Sequence, residues 1–218
     1  MKILLEKGQN LFFTSDTHYS HSNICKATTN WGEGNLTRDF SSLEHMNNVI
    51  VDNINETVGE NDILFHLGDW SFGGFDNITE FRNKLNCKNI HLLLGNHDHH
   101  IERNKDNIQR LFTSINQYIN LDIRRPNKAA IDKYKLILMH FPIVSWDGMN
   151  EGTIHLHGHV HLPKHQKING CRAIDVGIDG NDFEPYSLDN ILALLENQPI
   201  KRLSLPKDHH ELALSTIG

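Results

Sequence analysis

The chain has 218 residues, 38% of them hydrophobic, with 21 basic against 27 acidic side chains and a net charge of -6. That length buries one substantial core and predicts a single domain, drawn over residues 1–198 with 199–218 as a C-terminal tail or arm. The negative balance excludes the overall positive field on which non-specific nucleic-acid binding relies.

Cys25, Cys87 and Cys171 are odd in number and far apart, which fits reduced thiols in a cytoplasm better than a disulfide framework. Glu6 and Lys7 fall too early for a signal-peptide apolar region, and no stretch approaches the length that crosses a bilayer. A soluble cytoplasmic protein with no membrane partner is expected. Sixteen histidines are the unusual feature, because imidazole binds transition metals near neutral pH.

In chain order, the run LFFTS from Leu11 to Ser15 is a short buried strand that ends at Asp16. Ser42 to Asn55 follows as a helix, capped by Ser41 or Ser42 and striped by Met46, Val49, Ile50 and Ile54. Ile63 to Leu67 is the next strand and delivers Gly68 and Asp69, and Asn77 to Leu85 is a second helix. Ile90 to Leu94 delivers Gly95 and Asn96, and Lys135 to Met139 delivers His140. A further helix is expected over Ile101 to Phe112, and a last one over Leu188 to Leu195, opened by Ser187. The alternation predicts an α/β layered domain with its site at the carboxyl ends of the strands. Between Tyr118 and Val176, short strand-like runs broken by Gly, Pro and Asn predict a second sheet.

The strand ends carry the chemistry. Asp16 and His18 form an Asp-x-His pair whose alternate positions can aim at one point. Gly68-Asp69 and Gly95-Asn96-His97-Asp98 place a carboxylate, an amide and another imidazole at equivalent positions, on turns where glycine allows close backbone approach. Taken singly, each block reads better as a turn or a capping residue than as a site. The stretch from His155 to His161 is harder to read that way, since alternation gathers imidazoles on one face at a cost unless something satisfies them. Gly158 marks a bend that separates the roles of these histidines.

In this order, Asp16-x-His18, Gly68-Asp69, Gly95-Asn96-His97-Asp98, His140 and Gly158-His159-x-His161 resemble the signature of the calcineurin-like metallophosphoesterase superfamily. TSDTHYSHSNI, HLGDW and HLHGHVH further resemble a small bacterial and phage subgroup of it. The resemblance spans Asp16 to His161 and implies a four-layer α/β/β/α sandwich of two mixed sheets flanked by helices. It also implies two divalent transition-metal ions, manganese favoured, with iron, zinc or nickel as the other choices. Asp16, His18 and His161 would hold one ion, Asn96, His140 and His159 the other, and Asp69 would bridge them. A bridging hydroxide would attack the phosphorus, and His97 would be the general acid that protonates the leaving oxygen or would stabilise the transition state. The mixed nitrogen and oxygen donors agree with such metals.

This sequence departs from the superfamily at GDWSFGGFD, which lacks the acidic residue that orients the catalytic histidine and the arginine of protein phosphatases. Asp98 is the substitute candidate for orienting His97. Loops at strand ends line such sites, which makes His21, Asn23, Trp31, Trp70 and Trp146 the substrate-contact candidates. The expected activity is that of a phosphodiesterase or phosphomonoesterase on a small nucleotide-like compound. The alternatives are a nuclease and a non-catalytic interaction module.

Overall fold

The computed structural model describes residues 1–29, 37–127, 130–164 and 171–200. The elements in chain order are β1 (Lys2–Leu4), β2 (Leu11–Thr14), α1 (Leu43–Thr57), β3 (Ile63–His66), α2 (Phe75–Lys84), β4 (Asn89–Leu93) and α3 (His99–Glu102). β5 (Ser114–Asn116), β6 (Tyr118–Pro126), β7 (Ile131–Met139), β8 (Ile154–His157), β9 (Ala173–Asp175), β10 (Tyr186–Ser187) and α4 (Leu188–Leu195) follow. Two five-stranded sheets result, ordered β10-β2-β3-β4-β5 and β1-β6-β7-β8-β9. Both are mixed: β10 runs antiparallel to β2 in the first, and β6 antiparallel to β7 in the second. The architecture is the expected α/β sandwich of two mixed sheets with helices against them.

Period-two alternation decides which layer each strand residue enters. In β2, Leu11 and Phe13 face the second sheet while Phe12 faces the helices; in β3, Ile63 and Phe65 take the first role and Leu64 the second. The inter-sheet layer joins Phe13 and Phe65 to Leu121, Leu136, Leu156 and Ile174. The other layer packs Met46, Ile50 and Ile54 of α1 and Ile78 and Phe81 of α2 over the first sheet. Each such fully buried side chain stabilises the fold by about 1.5–3 kcal/mol.

Capping sets the helix starts. The Ser42 hydroxyl accepts the His45 N–H, an arrangement that contributes about 1 kcal/mol. Ser187 opens α4 with a reciprocal box to Asn190. The helix expected over Ile101 to Phe112 is instead a short turn, α3, and an interrupted 3-10 segment over Lys105–Leu111. Asn104, Asp106 and Asn107 adopt left-handed backbone there, which Asn and Asp tolerate better than most residues, and the α-helical hydrogen bonds cannot run through it.

β2, β3 and β4 are parallel and in register, with Thr14 opposite His66 and His66 opposite Leu92. Their following loops therefore leave from one edge. An isolated bridge between Ser15 and Gly177 brings the loop after β9 to the same edge. All three cysteines are buried and unpaired. Among the described residues no helix is long and apolar enough to cross a membrane.

Candidate metal centre

Backbone hydrogen bonds tie the strand-end loops together: Asp16 N–H to Gly68 O at 2.9 Å, His18 N–H to Asp69 O at 3.0 Å and Gly158 N–H to His140 O at 2.9 Å. Asp16, His18, Asp69, His159 and His161 all have positive φ, between 47° and 72°. For residues other than glycine such a conformation costs roughly 1–3 kcal/mol each and gathers at functional sites. Close approach also demands glycine at Gly158, where a Cβ would strike Ser15 and the Asp16 carboxylate, and at Gly68, where it would strike Gly95 and the His140 ring.

The loops assemble two groups whose ligand atoms lie within 4.8 Å of one another, Asp16-His18-His161 and Asp69-His140-His159. Within the first, His18 Nε2 lies 3.1 Å from His161 Nε2, and His161 Nε2 lies 3.6 Å from Asp16 Oδ1. Asp69 of the second group also reaches the first, its Oδ2 being 3.5 Å from both His18 Nε2 and His140 Nε2. Asn96 Oδ1 is 3.1 Å from His140 Nε2 and 2.9 Å from His159 Nδ1. The His97 N–H donates to Asp69 Oδ1 at 2.9 Å, and the His159 N–H donates to Asp16. Each carboxylate is thereby aimed by the loop that carries a neighbouring histidine.

The electrostatics fit a cation. His140 Nδ1 faces the Leu67 carbonyl at 2.7 Å, which can only accept, so Nδ1 carries the proton and Nε2 of the neutral ring presents a lone pair. Burial keeps the His140 pKa below its usual value. Its Nε2 lone pair therefore meets the acceptor oxygens of Asp69 and Asn96 with no proton between them. Burial likewise holds His18 well below the ordinary histidine range, and Arg38 adds to the effect. Burial pushes Asp16 up to about 7 against the pull of His161. Converging lone pairs and a buried carboxylate are costly alone and are relieved by a bound positive ion.

Around these groups lies a polar frame that no sequence motif announces. Asp179 Oδ2 accepts from His161 Nδ1 at 2.8 Å, and the Arg38 guanidinium clamps Asp179 with two contacts of 2.8 Å. Arg38 also donates to the carbonyls of Thr17 and Asp16, at 2.8 and 2.6 Å. Burial opposes the charge on Asp179, yet Arg38 and His161 hold its pKa well below the usual carboxylate range. Burial lowers His161 as well, but Asp179 and Asp16 outweigh it and leave its pKa raised.

Of the expected site residues, Asp16, His18, Asp69, Asn96, His140, His159 and His161 come together. The His97 ring is half-buried beside them, its centroid 5.3 Å from that of His18. Asp98 does not orient it: its carboxylate accepts the backbone N–H groups of Asp69, Gly95 and Trp70 at 2.8, 2.8 and 3.0 Å. Burial raises Asp98 to about 7 against those bonds. Its part is to bind the Asp69 and Asn96 loops to each other, and no described carboxylate is hydrogen-bonded to the His97 ring.

The substrate candidates divide. His21 stacks on Phe72 at 4.0 Å and 7°, with its centroid 5.2 Å from that of His18. Asn23 is exposed in the 3-10 turn Ser22–Ile24. Trp70 is a correction: it is wholly buried against Phe81 and Phe112 and packs the core. Trp146 is another: its indole donates to Thr153 O, and it lines a separate cavity with Pro142, His155 and Cys171 that none of the clustered Asp and His residues borders. Trp31 lies outside the described residues.

Fold and site together define an α/β sandwich with paired Asp/His clusters at one sheet edge. The chain belongs to the same family as the uncharacterized protein MJ1445 of Methanocaldococcus jannaschii, with 30% identity over 198 residues covering 88% of this chain and 94% of that protein. It is 29% identical to the Gene 66 protein of Mycobacterium phage D29, over 81% of this chain and 92% of that one. The fold is similar to the crystal structure of a protein of unknown function, AQ665 from Aquifex aeolicus, with a TM-score of 0.56 and 23% identity over 86% of this chain and all of that one. No family model matches the chain.

Proposed function

We propose that this protein hydrolyses phosphate esters with two divalent transition-metal ions, manganese favoured. The observation that carries the reading is the convergence of the His140 and His18 nitrogens on the Asp69 Oδ2 atom, where the second three-residue group meets the first. Asp16, His18 and His161 would hold one ion, Asn96, His140 and His159 the other, and Asp69 would serve both. Mixed imidazole, amide and carboxylate donors can hold manganese, iron, zinc or nickel, while so many histidines disfavour an all-oxygen calcium or magnesium cage. Bound there, the ions would supply an acidified water and neutralise charge on the phosphoryl group.

The chain's own groups do the rest. Backbone N–H groups of His159 and His97 fix the two carboxylates. The His97 imidazole would give a proton to the leaving oxygen. The substrate class we infer is a small, nucleotide-like phosphomonoester or diester, in a cytoplasmic setting consistent with three unpaired thiols.

The test compares metal-free and manganese-loaded protein on 4-nitrophenyl phosphate and bis(4-nitrophenyl) phosphate. Turnover of at least one ester by the loaded protein, abolished by a chelator, is expected. Equal turnover without metal, or none on either ester with two ions bound, would contradict the proposal.

A further inference from the structure

Beside His97 the surface opens into a cavity of about 350 Å³, at the small end of the range for ligand pockets. It lies between the segment after Asp69 and α3, and it begins at the one imidazole assigned to the leaving oxygen. Ile78 and Ile101, both almost fully buried, border it, and Phe72 and His100 add rings. Phe72 is kept in place by its stack on His21, yet 38% of it is exposed.

These features ask for one kind of occupant. Aliphatic and aromatic walls favour a flat ring, and the imidazoles of His97 and His100 in the same lining can hydrogen-bond a heteroatom of that ring. A group in the cavity abuts His97, the residue assigned to protonate the leaving oxygen. We propose that the cavity is the leaving-group subsite of the phosphoester reaction and takes a heteroaromatic alcohol of nucleoside size. This rests on the phosphoesterase reading for its role, though not for its ligand chemistry. In the step, the P–O bond to the nucleoside breaks, a new P–O bond forms to water, and the nucleoside oxygen takes the His97 proton. The proton lost by the attacking water restores the charge balance.

The experiment titrates adenosine into the full chain and follows the methyl signals of Ile78 and Ile101 by NMR, with ribose as the control. Adenosine should shift both signals and ribose neither. His100→Trp, which fills the cavity from a half-buried helix position, and Phe72→Ala, which removes the stacking face, should each weaken adenosine by about tenfold or more. In manganese-loaded protein, adenosine should compete with the nitrophenyl esters. Unmoved methyl signals overturn the subsite even if the esters are hydrolysed with two metals bound. Shifted signals in a protein that hydrolyses no ester overturn the leaving-group role through the failure of the phosphoesterase reading, and leave a plain heteroaromatic site. Adenosine that binds the cavity without competing overturns the placement beside His97.

Discussion

Replacing Asp179 by Asn separates the frame around the cluster from the ligands themselves. The carboxylate accepts from His161 Nδ1 and from two nitrogens of Arg38, whose side chain is 2% exposed. An amide keeps one acceptor oxygen and loses the charge that offsets a buried guanidinium. Hydrogen bonds to charged groups contribute about 1.5–3 kcal/mol, so the metal-free variant should be less stable by about that amount in urea denaturation. Partners behind a ligating histidine usually change metal affinity by about 10- to 100-fold. A manganese titration against a competing chelator should therefore show one of two sites weakened on that scale. Arg38→Lys should keep part of the stability but lose the two-point clamp, since an ammonium cannot match a fork of donors. Wild-type stability together with two unweakened sites in Asp179→Asn would refute the argument that this ion pair fixes His161.

Asp69→Asn should lower the occupancy of both metal sites and the turnover together, measured by elemental analysis and aryl-phosphate hydrolysis; loss of one ion alone would remove Asp69 from the shared position. His97→Ala should keep both ions and slow turnover by about 100-fold. That loss should shrink for a nitrophenolate leaving group and be largest for an alkoxide, and equal losses across leaving groups would point to charge stabilisation instead. Buried His155, pulled by desolvation to about 4, stays neutral in the folded state while the unfolded chain protonates it near 6.5. Its contribution is intact above pH 6.5 and is lost as pH falls through that window, at up to about 1.4 kcal/mol per unit. Asp16 and Asp98, raised to about 7 by burial, shift stability the other way. The readout is therefore the wild-type minus His155→Gln difference in unfolding free energy, which should fall from pH 6.5 to 4; a flat difference would show that His155 is not held neutral.

Much of this site is legible in the sequence because strand ends announce themselves. Apolar runs ending at Asp16, Gly68 and Gly95 leave little doubt about which loops share an edge, and parallel register then brings them together. Gly158 marks the point where β8 stops, separating His155 and His157 in the strand from His159 and His161 in left-handed turns. Arg38 is not legible: no motif in the sequence marks it, and it meets Asp179 across 141 positions. Asp179 carries a weaker signal, since β9 also ends in a Gly-containing turn, the same pattern that marks the other loops. The break after α3 follows from the left-handed preference of Asn104, Asp106 and Asn107, which hydrophobic periodicity does not register. Trp70 shows the opposite limit. Its place beside Asp69 suggested a substrate contact, but strand-end loops also return side chains to the core.

The central claim is that the two side-chain groups hold two ions. Calorimetric titration of manganese into metal-free protein tests it directly. The account predicts saturation at about two ions per chain, with binding that weakens toward acid pH as protons compete for the histidines. Saturation at a single ion, or binding unchanged when Asp69 and His140 are both replaced by Ala, would contradict it.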